Sequence, residues 1–376
     1  MAVLYMNILS ISSDRKMFEP GSAVRARLLE YGQLVKRLHV IVFTKESSGF
    51  EDEVIHPNIF LYPTNTKTRL GYIPRAIMKA RALKKRGVRI DVVTAQDPFE
   101  LGLTAYLIAW ILGAKLHLQI HTDFMSPYFA KESFANYARV MLAKFLLPRA
   151  DAIRVVSLRI KNSLSSIQRA RHMPSIEVLP IFVPTDITAE VSSAHDLKKK
   201  YPQFEKHILM ASRLSPEKNI NLAIEVMAEI VIKYPKTGLI IVGEGSEKES
   251  LMSKTRNYNL QDHIMFEDWQ RDLFSYYKTA DLFFLTSNYE GYGMAVAEAL
   301  SAGCPVVMTD VGCAGEIVRH NENGLIAPVG NHGALVRIVS HYISSGVHLE
   351  ARLPSLLTKD EYLARYLKSW QDALDN

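Results

Sequence analysis

The sequence has little cysteine and no long apolar run, and each of these features excludes certain classes of protein. Its 376 residues include only Cys304 and Cys313, too few for a disulfide framework or a four-ligand zinc site. The longest weakly polar run, residues 101–114, is shorter than the roughly 20 apolar residues that cross a bilayer. Residues 1–13 lack the basic segment that opens a signal peptide. We therefore expect a cytoplasmic chain.

The charge is unevenly distributed along the chain. Residues 1–180 contain 26 Lys and Arg against 14 Asp and Glu, whereas residues 181–376 contain 19 against 25. Such asymmetry predicts a partner of opposite charge for one half, namely an anionic membrane, nucleic acid or an acidic polymer, and a surface that serves only solubility is the alternative.

Short β-branched runs alternate with helical patterns along nearly the whole chain. The runs are almost continuously apolar, as in parallel strands that are covered on both faces. The pattern restarts after a Pro-rich hinge near residues 180–186, which predicts two doubly wound α/β domains. We place the boundaries at 1–183 and 184–350, followed by a C-terminal helical segment at 351–376.

Ligands of such sheets bind beyond the carboxyl ends of the strands, so the loops that follow strands carry the candidate residues. Arg213 and Lys218 follow a predicted strand at 207–212, and two cations at this spacing suit a diphosphate. A solvated loop is the alternative. Gly243 and Gly245 follow the next strand, where they either admit a ligand to the backbone or form a tight turn.

The densest group of candidate residues lies at 287–300, after a predicted strand at 281–285. Gly291 and Gly293 expose backbone N–H groups at the start of a helix, a place that binds anions. Glu290 precedes that helix and Glu298 lies about two turns inside it. Both carboxylates can therefore face one cleft, where each could accept hydrogen bonds from vicinal sugar hydroxyls.

Together these motifs, with Ala-Gly-Cys-Pro-Val-Val at 302–307, resemble a retaining glycosyltransferase of the GT-B class, specifically glycosyltransferase family 4. The resemblance is strongest over residues 207–330. It implies two Rossmann-like domains that face each other across a cleft. It also implies transfer of a hexose from a UDP- or GDP-linked sugar to the hydroxyl of a glycan or lipid-linked saccharide.

The resemblance also implies roles for individual residues. Arg213 and Lys218 would neutralise the diphosphate, Glu290 would contact the transferred hexose, and Glu298 would hold the ribose. Further donor contacts are implied for Gly243, Gly245, Asp268, Trp269, Gly291, Tyr292, Gly293, Met294 and Ala295. The family often has a Gly where Glu267 and Asp268 stand, which leaves the base selectivity open. An Asp-x-Asp motif is absent from the sequence, so we expect no metal and no cofactor besides the sugar nucleotide.

In the first domain, His121 follows a predicted strand at 115–120, and in the family a His at this strand end lies beside the donor sugar. Asp97 is predicted to cap the next helix, with Pro98 at its first position and acceptor binding as the alternative. Many family members carry a Gly-Gly pair after the first strand. Here Gly21 and Ser22 stand in its place, and we assign them to anion binding at a helix end.

Residues 67–89 contain nine Lys and Arg and no acidic residue, with apolar side chains interleaved. This pattern predicts a basic amphipathic helix that docks on anionic lipid, and a solvated basic helix is the alternative. Nucleic acid is not the expected partner, because no aromatic stacking platform or reading helix is present.

Two rival functions stay open on the sequence alone. One is another sugar-nucleotide enzyme of the same fold, such as a phosphorylase or an epimerase. The other is a non-catalytic module that binds nucleotide sugar or membrane. For the transfer itself we expect a front-face mechanism, because no carboxylate of the first domain is convincingly placed as a nucleophile.

Overall fold

The computed structural model describes residues 4–170, 174–183, 195–345, 349–354 and 357–376. Within these residues the chain forms two sheets, one of eight strands and one of six. Each sheet has helices packed against it, so the predicted α/β fold with two Rossmann-like halves is confirmed. The predicted hinge at 180–186 runs into residues 184–194, which lie outside the described residues.

The first sheet has the strand order β3-β4-β2-β1-β5-β6-β7-β8. All neighbouring strands are parallel except β3 and β4, which are antiparallel. Its strands are β1 (Leu4–Ser12), β2 (Val35–Val42), β3 (Glu53–His56), β4 (Ile59–Pro63), β5 (Val92–Ala95), β6 (Lys115–Ile120), β7 (Ala152–Val155) and β8 (Ile176–Val178).

The second sheet is entirely parallel and has the order β11-β10-β9-β12-β13-β14. The central strands are fully buried, which explains why they read as continuous apolar runs in the sequence. Its strands are β9 (Lys206–Ala211), β10 (Thr237–Val242), β11 (Ile264–Glu267), β12 (Leu282–Leu285), β13 (Val306–Thr309) and β14 (Gly324–Ala327).

Fourteen α-helices are found in the described residues, and none of them is both long and apolar enough to cross a membrane. They are α1 (Ala23–Gly32), α2 (Tyr72–Lys85), α3 (Glu100–Leu112), α4 (Pro127–Glu132), α5 (Phe134–Leu146), α6 (Leu158–Ser163), α7 (Ser165–Ala170), α8 (Leu197–Lys200), α9 (Ile220–Lys233), α10 (Lys248–Asn257), α11 (Phe274–Thr279), α12 (Met294–Ser301), α13 (His332–Ser345) and α14 (Lys359–Asp375).

Two details of the first half differ from the sequence prediction. The helix expected at 22–37 ends at Gly32, because β2 already begins at Val35. A side chain at Gly32 would place its Cβ 2.2 Å from Ile59 Cδ1, so this helix end packs directly on β4. Strand β3 was not predicted, because its exposure alternates along a sheet edge and it has no apolar run.

The last helix, α14, returns to the first sheet. Its Tyr366 hydroxyl donates a hydrogen bond to Gln119 Oε1 of β6 at 3.2 Å. Its Tyr362 hydroxyl lies 3.3 Å from the guanidinium of Arg154 on β7. Trp370 of the same helix is 2% exposed. The C-terminal segment is therefore part of the core of the first half.

Candidate active site

A pocket of about 430 Å³ opens at the carboxyl ends of β9 and β10. Strand ends, the segment after β11 and the start of α12 supply its walls. It brings together six of the residues predicted from the sequence, namely Arg213, Gly243, Trp269, Met294, Ala295 and Glu298. The size and position match a ligand site at the carboxyl edge of a doubly wound sheet.

The two glycines after β10 are required by close packing of two loops. A Cβ on Gly243 would lie 1.9 Å from the Ser212 carbonyl oxygen, and one on Gly245 would lie 2.2 Å from that of Leu214. The Leu214 N–H donates a hydrogen bond to the Glu244 carbonyl at 2.8 Å. The loop that carries Arg213 is therefore held against the glycine loop, backbone to backbone.

Glu298 projects from α12 into this pocket. Its Oε2 accepts a hydrogen bond of 3.1 Å from the hydroxyl of Tyr277 on α11. Burial raises the pKa of Glu298, and the hydrogen bond from Tyr277 acts in the opposite direction. The carboxylate is thus fixed in one orientation at the wall of the pocket, with capacity for further hydrogen bonds.

Lys218 and Glu290 form a largely buried ion pair at the edge of the cleft. The Lys218 Nζ lies 2.6 Å from Glu290 Oε1, and the side chains are 15% and 11% exposed. Ser287 donates a second hydrogen bond to the same oxygen at 2.8 Å. The Thr286 hydroxyl bonds the carbonyl of Lys218 at 3.1 Å, which ties the two loops together.

Arg213 is placed differently from Lys218. Its side chain is 79% exposed, and it pairs with Glu217 at 3.0 Å. A second donor, the Ser215 hydroxyl, holds Glu217 at 2.7 Å. One predicted diphosphate cation is therefore buried and fixed, while the other lies at the open mouth of the pocket.

His121 follows β6 and faces the second half across the cleft. A Cβ on Gly291 would lie 1.9 Å from the His121 carbonyl oxygen, so the two loops touch through their backbones. Burial, with the charges of Arg154 and Arg27, lowers the pKa of His121 from 6.5 to about 3. The imidazole is therefore neutral at physiological pH, while the backbone carbonyl of His121 touches the loop that carries Gly291.

A second cavity, of about 370 Å³, lies on the first-half side of the cleft, at the carboxyl ends of β1, β5 and β6. His121, Asp97 and Arg27 are among its lining residues. Burial raises the pKa of Asp97 to about 6.

The capping prediction for Asp97 is wrong, because α3 begins only at Glu100 with Phe99 as its N-cap. Asp97 Oδ1 instead accepts a hydrogen bond of 2.8 Å from the Phe99 N–H.

Other predicted residues have structural partners or lie outside the two cavities. Ser22 caps α1 by accepting a hydrogen bond from the Arg25 N–H, and neither Ser22 nor Gly21 lines the first-half cavity. Asp268 pairs with Lys248 and is exposed. Tyr292 is buried, and its carbonyl accepts a hydrogen bond of 2.8 Å from the Cys313 N–H. The ligand roles of these residues stay predictions.

Gly293 is the N-cap of α12, with a φ of 94°. This left-handed conformation favours glycine. The first N–H groups of the helix, at Met294 and Ala295, have no acceptor within the helix itself. Both residues line the pocket beside β9 and β10, so the start of the helix lies at the pocket wall, and such a helix start can bind an anion.

Three contacts across the cleft were missed by the sequence reasoning. Tyr289 donates a hydrogen bond of 2.9 Å to Glu132 at the end of α4. Glu316 accepts one of 2.6 Å from the Leu158 N–H at the start of α6, and Arg159 pairs with Asp310. Each joins residues far apart in the chain, and no local motif marks them.

Among the described residues, no group of three or more His, Cys, Asp or Glu is arranged to hold a metal ion.

Two Rossmann-like halves that meet across a cleft, with the candidate residues gathered at it, are the architecture of a GT-B glycosyltransferase. Comparison with protein families agrees for both halves. Residues 29–187 match the family described as Glycosyltransferase Family 4, and residues 194–354 match the one described as Glycosyl transferases group 1. The chain therefore belongs to these glycosyltransferases, and the predicted class of enzyme is confirmed.

Relatives of known or assigned activity share most of the chain. It is 22% identical to N-acetyl-alpha-D-glucosaminyl L-malate synthase of Bacillus anthracis, over 80% of this chain and 78% of that protein. It is 28% identical to alpha-monoglucosyldiacylglycerol synthase of Streptococcus pneumoniae, over 76% and 67%. These similarities support transfer of a sugar, and the two relatives are named for different products.

Solved structures show the same fold at low identity. HepE of Anabaena, in complex with UDP and glucose, has a TM-score of 0.70 at 19% identity and covers 99% of this chain and 98% of its own. Sucrose-phosphate synthase of Thermosynechococcus elongatus has a TM-score of 0.73 at 16% identity, with 98% and 97% covered.

Proposed function

We propose that the chain is a retaining hexosyltransferase that uses a UDP- or GDP-linked sugar. The observation that carries this proposal is the pocket beside β9 and β10, which collects Arg213, Glu298 and the N-terminus of α12. A nucleotide with its ribose on Glu298 and its phosphates at the helix start fits the chemistry of these groups. UDP is the first nucleotide to test, because HepE was solved with it.

In the proposed mechanism, transition-state stabilisation comes from fixed positive charge and helix-end N–H groups. Lys218 and Arg213 balance the charge of the departing diphosphate, so the transfer needs no metal. Glu290, held by Lys218 and Ser287, contacts the hexose, and the neutral His121 faces the sugar from the other side. Closure of the cleft then excludes water.

Retention is proposed through a front-face route, in which the acceptor hydroxyl attacks on the side from which the phosphate leaves. The leaving phosphate oxygen accepts the acceptor proton as the new glycosidic bond forms. Two relatives are named for alpha-linked products, which agrees with transfer from an alpha-linked donor without inversion.

The acceptor we propose is a glycan or lipid-linked saccharide, and the enzyme works at the cytoplasmic face of a membrane. The basic segment 67–89 supports this, since its exposed Arg75, Arg81 and Lys85 lie on α2 of the first half. One relative is named as a diacylglycerol-modifying synthase, which fits an acceptor held in lipid.

Thermal unfolding with UDP, GDP and ADP tests the donor part of the proposal. A nucleotide at about 100 times its Kd stabilises the protein by about 2.7 kcal/mol. We expect this with UDP or GDP, and we expect Arg213→Ala and Glu298→Gln to reduce it. The matched controls are Arg256→Ala and Glu249→Gln, both exposed and outside the pocket. Stabilisation by none of the nucleotides would contradict the proposal.

Once a donor is found, the anomeric configuration of the product, read by NMR, tests retention. An inverted product would overturn the front-face route while leaving the donor assignment intact.

A further inference from the structure

Helix α5 presents a stripe of large apolar side chains to solvent. Phe134, Tyr137, Met141 and Phe145 are spaced at i, i+3, i+7 and i+11, which places them on one side of the helix. They are 86%, 54%, 52% and 43% exposed. The opposite side of α5 is buried at Val140, Ala143 and Leu146, so the helix already fills the core with its other face.

The neighbouring helix α3 extends this surface. Trp110 is 79% exposed on α3, and the ring of Tyr106 on the same helix lies edge-on to Phe145 at 6.3 Å. Arg139 of α5 pairs with Glu100 at the start of α3, at 2.8 Å. The exposed apolar side chains of α3 and α5 thus belong to one surface, which we name the α3–α5 face: Trp110, Phe134, Tyr137, Met141 and Phe145.

Basic residues border the α3–α5 face. The Lys84 Nζ donates a hydrogen bond of 2.8 Å to the Ile111 carbonyl, so the C-terminal end of α2 lies beside Trp110. Neither α2 nor α5 contains an acidic residue. Arg149, just after α5, lies over the Phe145 ring at 3.7 Å. An apolar stripe with cations at its border is the composition of a helix surface that lies in a lipid head-group region.

The α3–α5 face also reaches the catalytic cleft. Phe134 is two residues from Glu132, which accepts the hydrogen bond from Tyr289 across the cleft. Two residues span at most about 7 Å of chain. A membrane against this face would therefore lie close to the part of the cleft where Glu132 meets Tyr289.

We infer that the α3–α5 face inserts its aromatic and methionine side chains into an anionic bilayer, next to the contact made by α2. The inference rests on the proposed membrane-borne acceptor, and it adds a hydrophobic component that the basic segment alone does not provide. A second copy of the chain is a poorer occupant. A symmetric dimer places the same patch on both sides, so the cations at its border would face one another.

Co-sedimentation with vesicles tests the inference. The full chain is mixed with vesicles of phosphatidylcholine and phosphatidylglycerol, or of phosphatidylcholine alone. We expect binding to the anionic vesicles, and at least about a tenfold loss of partitioning in the triple variant Trp110→Ser, Phe134→Ser, Met141→Ser. The control is Ile232→Ser, which removes an apolar side chain that is 84% exposed in the second half.

A second variant separates insertion from electrostatic attraction. Arg75→Glu, Arg81→Glu and Lys85→Glu together reverse the charge of the exposed side of α2. Residual binding of the wild type at about 1 M salt, where the Debye length is about 3 Å, measures insertion alone. We expect the triple serine variant to lose that residual binding. Equal partitioning of the wild type and the triple serine variant, both at about 1 M salt and in the co-sedimentation without that salt, would overturn the inference.

Two further measurements, the nucleotide-induced stabilisation and sedimentation velocity, distinguish membrane insertion from the other possible results. The nucleotide-induced stabilisation should be the same in all these variants, because none of the substituted residues lines the nucleotide pocket. A protein that binds vesicles but no nucleotide would contradict the proposed function and not this inference. A wild-type dimer that the serine variant abolishes, measured by sedimentation velocity and without vesicle binding, would assign the face to a second copy and overturn the inference.

Discussion

Three carboxylates of the candidate site have a partner within the chain. Glu290 is paired with Lys218, Glu217 with Arg213, and Glu298 with the hydroxyl of Tyr277. A donor diphosphate must therefore share or take over cations that already have a partner. The pair Lys218–Glu290 is largely buried, so loss of either member leaves an uncompensated charge and costs more than the pair itself contributes.

The lowered pKa of His121 gives a prediction about pH. Its pKa in the folded protein is about 3, below the ordinary value of 6.5, so protonation favours the unfolded chain. Stability should be complete above pH 6.5 and decline as the pH falls, by up to about 1.4 kcal/mol per pH unit from this group. We expect His121→Asn to remove this part of the decline in urea unfolding at pH 7.5 and 5.5.

The matched control is His341→Asn, which removes an exposed imidazole that lines neither cavity. The pH dependence of kcat gives a second test. Because the ring is neutral from pH 5 to 8, His121→Asn should lower kcat by the same factor across that range. A factor that changes tenfold between pH 5 and 8 would show that the charged form takes part.

At the scale of elements, the cleft depends on backbone contacts between loops. The Gly291 loop touches the carbonyl of His121, and a Cβ there would be 1.9 Å from that oxygen. We expect Gly291→Ala to push the loops apart and lower kcat by about 100-fold, as for displacements of about 1 Å in active sites. The affinity for the proposed donor nucleotide, measured by calorimetry, should change little, because the pocket lies in the second half.

Gly333→Ala is the control for this substitution, since its Cβ would meet only the Arg337 side chain, at 3.5 Å. An unchanged kcat in Gly291→Ala would show that the loops do not need this close approach.

Individual strands, turns and contacts show how far the fold could be predicted from the sequence. Strand β6 matches its predicted range, and its Leu116, Leu118 and Ile120 alternate with the polar His117 and Gln119 in the two-residue period of a strand. The turn at Asp97 was assigned to a helix that starts three residues later, since the capping and turn patterns share the same Asp-Pro signal. Tyr277 and Glu132 could not be found, because their partners lie in other elements and no local pattern encodes such contacts.

At the scale of the whole molecule, α14 binds the end of the chain to the first half. Trp370 is buried, and the ring of Tyr366 on the same helix lies 4.9 Å from it between ring centres. Trp370→Ala should lower the free energy of unfolding by about 3–5 kcal/mol. Urea unfolding measures this, with the exposed Lys368→Ala as the control. A loss below about 1 kcal/mol would show that the helix contributes little to the core.

The return of α14 has a consequence for synthesis on the ribosome. Strand β8 leaves the ribosome long before the last helix does, because the whole second half lies between Val178 and Lys359. At about 5–20 residues per second, this delay is on the order of 10–40 s. During that time the first sheet lacks its final cover, and the surface around Gln119 and Arg154 is open to water. A nascent chain of this enzyme should therefore engage chaperones until α14 emerges.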